Sequence, residues 1–255
     1  MNSHGLCKSF QEFYENWMVE RNQQLKKLVL AIKNSPPEHN LILLINSVIQ
    51  QYQDYFKAKS QFAKREILSF FSQKWTSSLE QTFLWIGGFR PTTSFHLLYS
   101  KLGLQLESRL SASTCRTSSA TDLADLTSSQ LARVNELQKR TTREEREVTE
   151  KMAKYQETLA HSAMVELAHL ATRSMMMTEH DESRGAGYEE RVELVLAEKE
   201  ADDLRLRTLK GVIEILSPTQ AVHFLIAATE LQLRVHEWGL ERDKRVHFGG
   251  YFRSN

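Results

Sequence analysis

Proline and glycine are scarce, at four and ten in 255 residues. So few breakers leave long uninterrupted elements and disfavour a fold of short strands and turns. Cysteine is scarcer still. Cys7 and Cys115 are too far apart for a CxxC motif and too few for a disulfide framework, so a reducing interior is the expected setting. Excess charge of one sign is also missing. The formal net charge is +1, which excludes a uniformly basic nucleic-acid binder and leaves only local patches. No apolar run approaches the ~20 residues of a membrane span. Met1–Phe10 lacks the apolar stretch of a secretory signal. The expectation is a soluble chain, nuclear or cytoplasmic and not secreted. The fingerprints GxGxxG, GxxxxGK[ST], HExxH and GxSxG do not occur, so the chain reads as a non-enzyme.

What is present is helical periodicity in a chain of ordinary globular composition, 41% apolar and 25% charged. Phe10, Phe13, Tyr14, Trp17, Met18, Leu25, Leu28 and Ile32 recur every three or four residues for most of this run, which predicts an amphipathic helix. Asn34-Ser-Pro-Pro37 ends it, because proline lacks an amide donor and disfavours helix in the residue before it. A second helix is predicted over about 40–71. Ser77-Ser-Leu-Glu80 is a capping box, opening a helix that Gly87-Gly88 is expected to stop. Pro91 suits the first turn of the next helix. Residues 108–126 and 175–187 read as loops, the first rich in Ser and Thr. Helix is expected to resume at Leu126-Thr-Ser-Ser-Gln130 and near Tyr188. Ser217-Pro218 opens a last helix expected to end at Gly239, with 246–255 a frayed tail. Nothing reads as a strand. The predicted fold is all-α, a bundle of long antiparallel helices in a single domain over 1–255, with a structured core of about 8–245.

Few side chains suggest chemistry. His161 and His169 lie two turns apart on one helix, not the single turn a shared metal needs, so they read as surface histidines. His236-Glu237 lacks the second histidine of a zinc helix. Glu144-Glu-Arg-Glu147 reads as a solvated face with weak pairing. Tyr14, Trp17 and Met18, with Phe13, read either as core of the first helix or as a partner-binding anchor, since Tyr and Trp concentrate at interface hot spots. Met175-Met-Met177 reads as a helix-end packing patch. Arg242-Asp-Lys-Arg245 suits the negative end of the last helix.

Two blocks go beyond generic helix. Trp75-Thr-Ser-Ser-Leu-Glu80 with Leu84-Trp-Ile-Gly-Gly-Phe-Arg-Pro91 is one. Glu200-Ala-Asp-Asp-Leu-Arg205, Ile215-Leu-Ser-Pro218 and His236-Glu-Trp-Gly239 form the other. Together they resemble the signature of the Delay-of-Germination (DOG) domain, with Trp85, Gly87, Gly88, Pro91 and Trp238 as its structural markers. The resemblance implies a non-enzymatic plant regulator of seed maturation, dormancy and abscisic-acid signalling. It further implies binding to type 2C protein phosphatases and self-association. Phe13-Tyr-Glu-Asn-Trp-Met18 resembles the partner-contact motif of dormancy regulators, which would give Tyr14, Trp17 and Met18 that role. The same domain follows a bZIP segment in TGA transcription factors. No basic region with leucine heptads precedes it in this sequence, so the bZIP mode of DNA binding is not expected. Association with TGA-like factors, or DNA contact through the basic end, is the alternative. The resemblance also raises haem, held by two histidines one turn apart in the last helix. His236 matches the second, but Gln232 stands at the first and is a poor iron ligand. A haem or lipid sensor is the third reading, and otherwise no cofactor is expected.

Overall fold

A computed structural model describes residues 3–111, 126–173 and 186–250. Its elements in chain order are α1 (Ser3–Asn34), α2 (Glu38–Arg65), α3 (Ile67–Ser72), α4 (Ser78–Thr82), β1 (Leu84–Trp85), β2 (Gly88–Phe89), α5 (Thr93–Ser111), α6 (Ser128–Arg173), α7 (Ala186–Ile215) and α8 (Pro218–Gly250). The all-α reading holds. The 46 residues of α6 make a rod about 69 Å long at 1.5 Å per residue. It lies antiparallel to α7, and Gln130 Nε2 donates to the carbonyl of Ile215 while Lys151 Nζ donates to Glu200 across the pair.

The local signals explain most boundaries. Ser217 and Gln220 form a reciprocal cap at the start of α8, as Ser77 and Glu80 do for α4. Thr127 and Gln130 do the same before α6. Four expectations need correction. The helix predicted over 40–71 breaks at Glu66, whose φ of −141° and ψ of 56° leave the helical region between α2 and α3. Helix α4 stops at Thr82, and 84–89 form a two-residue antiparallel ladder, Leu84 opposite Phe89 and Trp85 opposite Gly88. Both residues of its turn, Ile86 and Gly87, have positive φ (45° and 72°), the type I′ arrangement that suits a tight hairpin. Pro91 lies outside α5, and its carbonyl accepts from Ser94 N at 3.1 Å in the turn before that helix. Lastly, α8 runs straight through Gly239 to Gly250. Gly239 is a contact point: a Cβ there would overlap Ser77 and come within 3.2 Å of Leu79 Cβ, so glycine allows α8 to lie directly on α4.

Of the predicted loops, 108–111 are the last turn of α5 and 186–187 the first residues of α7. Most of the rest, including Met175–Met177, lies outside the described residues. Helix α8 is described to Gly250, and 251–255 of the expected tail lie outside the described residues. Packing divides along the helices into two main clusters. One is largely aliphatic, with Leu28, Val48, Leu98, Val134, Val212 and Leu225 at its centre. The other is aromatic, built on Phe10, Tyr14, Trp17, Phe62, Phe70 and Trp75. Trp85 leads a smaller group with Val148, Ala201 and Leu204.

Candidate functional site

The aromatic half holds almost all of the unusual chemistry. Tyr14, Trp17 and Met18 face inward from α1 and are buried. The Trp17 ring stacks on Tyr55 of α2 at 4.1 Å between centroids, and Tyr14 meets His236 of α8 edge-on at 5.8 Å. These residues therefore act first as the packing face of α1. On the outer side of the same helix Val19 is 58% exposed.

Glu80 is the hub that joins three helices. It is the reciprocal acid of the α4 capping box, accepting from Ser77 N and Oγ, each at 2.7 Å. It also accepts from the Tyr14 hydroxyl at 2.8 Å, and His236 Nδ1 lies 3.0 Å from both of its oxygens. Burial alone would raise its pKa. The bonds from His236, Ser77 and Tyr14 outweigh burial, and the carboxyl titrates below its ordinary value. Burial, reinforced by Tyr55 and Glu80, pushes the Tyr14 hydroxyl well above the tyrosine range.

A second polar group sits beside it. Lys59 of α2, only 1% exposed, reaches Asp202 at 2.6 Å and Glu198 at 3.3 Å on α7. Burial, with Asp202 one turn away, raises the Glu198 pKa to about 8 despite Lys59. Arg205 pairs with Asp202 and then grips the hairpin. Its Nε donates to Phe89 O at 2.7 Å, and its Nη2 donates to Ile86 O at 3.0 Å and to Trp85 O. The guanidinium also lies over the Trp85 ring, 5.2 Å from its centroid.

This grip accounts for the glycine pair. Gly87 sits in the left-handed region, where a Cβ would overlap the Phe70 ring. A Cβ on Gly88 would stand 2.9 Å from Arg205 Cζ. Ile86, β-branched at positive φ, is a strained residue, held by the Arg205 bond and by packing against both neighbouring clusters. Between α1, α2, α5, α7, α8 and the hairpin lies a cavity of about 160 Å³, whose lining combines rings such as Tyr14, Trp17 and Tyr55 with the charged side chains of Lys59, Glu80 and Arg205.

Sequence reading missed several of these residues. Lys59, Glu198, Asp202 and Arg205 sit in charged stretches that look solvated. The available signal was spacing, because Glu198, Asp202 and Arg205 lie on the stripe of α7 that also carries Leu194, Ala201 and Leu209. Glu145, read as part of a solvated face, is likewise buried. It accepts from Thr92 N at 2.7 Å and from Thr92 Oγ1 at 3.1 Å, placing a carboxylate at the start of α5. In the marker set, Trp85 is buried as expected, but Trp238 is 58% exposed and its neighbour Gly239 makes the packing contact.

The residues do not fit a haem. Gln232 stands where a second histidine would be needed and is a poor axial ligand, and the cavity beside Gln232 is smaller than the ~300 Å³ at which ligand pockets usually begin. Among the described residues no group of three or more His, Cys, Asp or Glu could hold a metal ion, and no helix is long and apolar enough to cross a membrane.

Comparison with known proteins finds relatives over nearly the whole chain. Residues 24–100, which include α2, the α4 cap and the hairpin, match the family model described as "DOG1: Seed dormancy control". Protein DOG1-like 3 of Arabidopsis thaliana is 30% identical over 252 residues, covering 96% of this chain and 88% of that protein. Protein DOG1-like 1 of the same plant is 30% identical over 95% of this chain and 93% of its own. Transcription factor TGA2, also from Arabidopsis thaliana, is 24% identical over 86% of this chain and 60% of its own length. A hairpin clamped from α7 and a carboxylate shared by three helices thus stand in a chain that belongs to the DOG1 seed-dormancy-control family.

Proposed function

We propose that the chain is a non-enzymatic regulator that works by docking onto other proteins, with type 2C protein phosphatases of abscisic-acid signalling as its partners, in the nucleus or cytoplasm. Likeness to the DOG1-like proteins supports the regulatory role. The observation that carries the docking role is the outer side of α1. Tyr14, Trp17 and Met18 pin its inner face, while Val19 and Leu30, eleven residues apart and so on nearly the same side of a helix, stand 58% and 55% exposed. In this reading the three buried residues hold the contact surface in place, and Val19 with its neighbours touches the partner.

Affinity capture of type 2C phosphatases on the full chain tests the proposal. Wild type retains a phosphatase under native conditions. Val19→Asp releases it with no change in melting temperature, whereas Trp17→Ala lowers binding and melting temperature together. Failure of wild type to retain any such phosphatase would sink the phosphatase reading. A second reading, association with TGA-type transcription factors, is favoured by the shared domain. Co-purification of a TGA factor in place of a phosphatase would select it.

A further inference from the structure

A surface hollow of about 440 Å³ lies between α2 and α7 and shares only Phe56 with the aromatic cavity. Three cations line it, Lys57 and Lys64 from α2 and Lys199 from α7. All three are exposed, and none makes an ion pair or a hydrogen bond among the described residues. The carboxylates at the hollow do not balance them. Asp202 is buried and already paired with Lys59 and Arg205, which leaves Asp203 as the one free carboxylate in the lining among the described residues. The other seam of α7 is different. There the surface charges meet partners, Lys151 with Glu200 and Arg207 with Glu144. The α2–α7 side is thus a local basic patch in a chain of formal net charge +1.

Unpaired lysines gathered at a concavity attract an anion, and the residue type indicates which. Lysine is a point charge suited to phosphate, whereas a carboxylate is held best by the planar fork of arginine. No arginine lines the hollow. Spacing sets the number of phosphates. Lys57 and Lys64 are seven residues apart on one face of α2, about 10 Å along its axis. A single phosphate would force both side chains to converge at a cost in freedom, while two let each lysine hold its own. Ser60 and Gln61, between them in sequence, offer uncharged hydrogen-bonding groups to the body of the ligand. The volume falls in the range of small-molecule sites, about 300–1,000 Å³. We propose that the hollow between α2 and α7 binds a small ligand carrying two or more phosphate groups, with Lys57, Lys64 and Lys199 as its contacts. Free phosphorylated polyols and phosphoinositide headgroups share that chemistry. The site is independent of the docking surface on α1.

Calorimetric titration of the full chain with inositol trisphosphate and with inorganic phosphate tests the site. The trisphosphate saturates and raises the melting temperature, and inorganic phosphate binds at least about tenfold more weakly. Lys64→Gln and Lys199→Gln each weaken the trisphosphate about threefold to fivefold. Both lysines are exposed, so the melting temperature of the free protein is unchanged. Lys26→Gln, at an exposed lysine of α1 outside the hollow, leaves the affinity as it was. Co-sedimentation with phosphatidylcholine vesicles, with and without phosphatidylinositol bisphosphate, separates the two sources. Capture by the bisphosphate vesicles that free trisphosphate competes away assigns a headgroup, and trisphosphate binding without capture assigns a free ligand. The proposal fails if the trisphosphate does not saturate at about 1 mM or if inorganic phosphate binds as well. It fails equally if Lys26→Gln costs as much as Lys199→Gln, since that result means diffuse attraction to surface charge.

Discussion

The two halves of the bundle are built by different means. The aliphatic half fills its centre with Leu, Ile, Val and Phe, and its buried polar groups, such as Gln220 and Thr208, are neutral. The aromatic half packs rings around Lys59, Glu80, Glu198 and Asp202, all largely buried, with Arg21 at the border between the halves. Apolar burial is non-directional and tolerates rearrangement. A buried ion group does not, because removing one member leaves its partner charged and unpaired. The first half rests on apolar burial, and the second adds polar contacts that tie α1 to α4, α4 to α8 and α2 to α7.

The contrast can be broken most sharply at Lys59. Lys59→Ala leaves Glu198 without its cation, while Asp202 keeps Arg205, and is expected to cost about 3–5 kcal/mol. Replacing Lys59, Glu198 and Asp202 together with apolar residues of similar size is expected to cost far less, and chemical denaturation of both variants reads the difference. Gly88→Ala comes next. Its Cβ would press on the guanidinium of Arg205, and the displaced clamp is expected to cost about 1–3 kcal/mol, visible also as faster amide exchange in 84–89. Ile45→Val in the aliphatic half should cost only about 0.5–1.5 kcal/mol, with no change in pH dependence.

The halves should also differ in their response to pH. Glu198 is raised to about 8 in the folded state, so the native protein binds the extra proton between the ordinary carboxylate range and that value. Its contribution to stability is complete below the unfolded pKa and fades as pH rises through about 8. Glu80 is lowered when folded, so its contribution is complete above the unfolded pKa and fades as pH falls through the depressed value. The melting temperature is expected to fall by a few degrees between about pH 5 and pH 8. Glu198→Gln should flatten that slope and leave the acid limb in place. An unchanged slope would mean that Glu198 does not govern it.

Legibility followed the same division. Capping boxes at Ser77 and Ser217, the proline stop after Asn34 and the three-to-four spacing of α1 were readable, because each is a local signal acting within a few residues. The hairpin was not. Leu84–Phe89 is short and its geometry depends on Arg205, a side chain distant in sequence. Gly239 looked like a helix stop because its real role, contact with Ser77, is made between elements. Lys59 and Glu145 looked solvated because composition does not tell a paired buried charge from an exposed one. The inward orientation of Tyr14 and Trp17 was one of two readings that periodicity left open, and it depends on α2 and α8, whose Tyr55 and His236 pack against them.

The clamp on the hairpin has a consequence for how the molecule assembles. A two-stranded ribbon this short does not persist alone in water, and the group that completes it, Arg205, arrives 119 residues after Ile86. Residues 84–89 can take their final shape only once α7 has been synthesised and docked. The hairpin therefore cannot be completed before the chain has grown well past it, to α7.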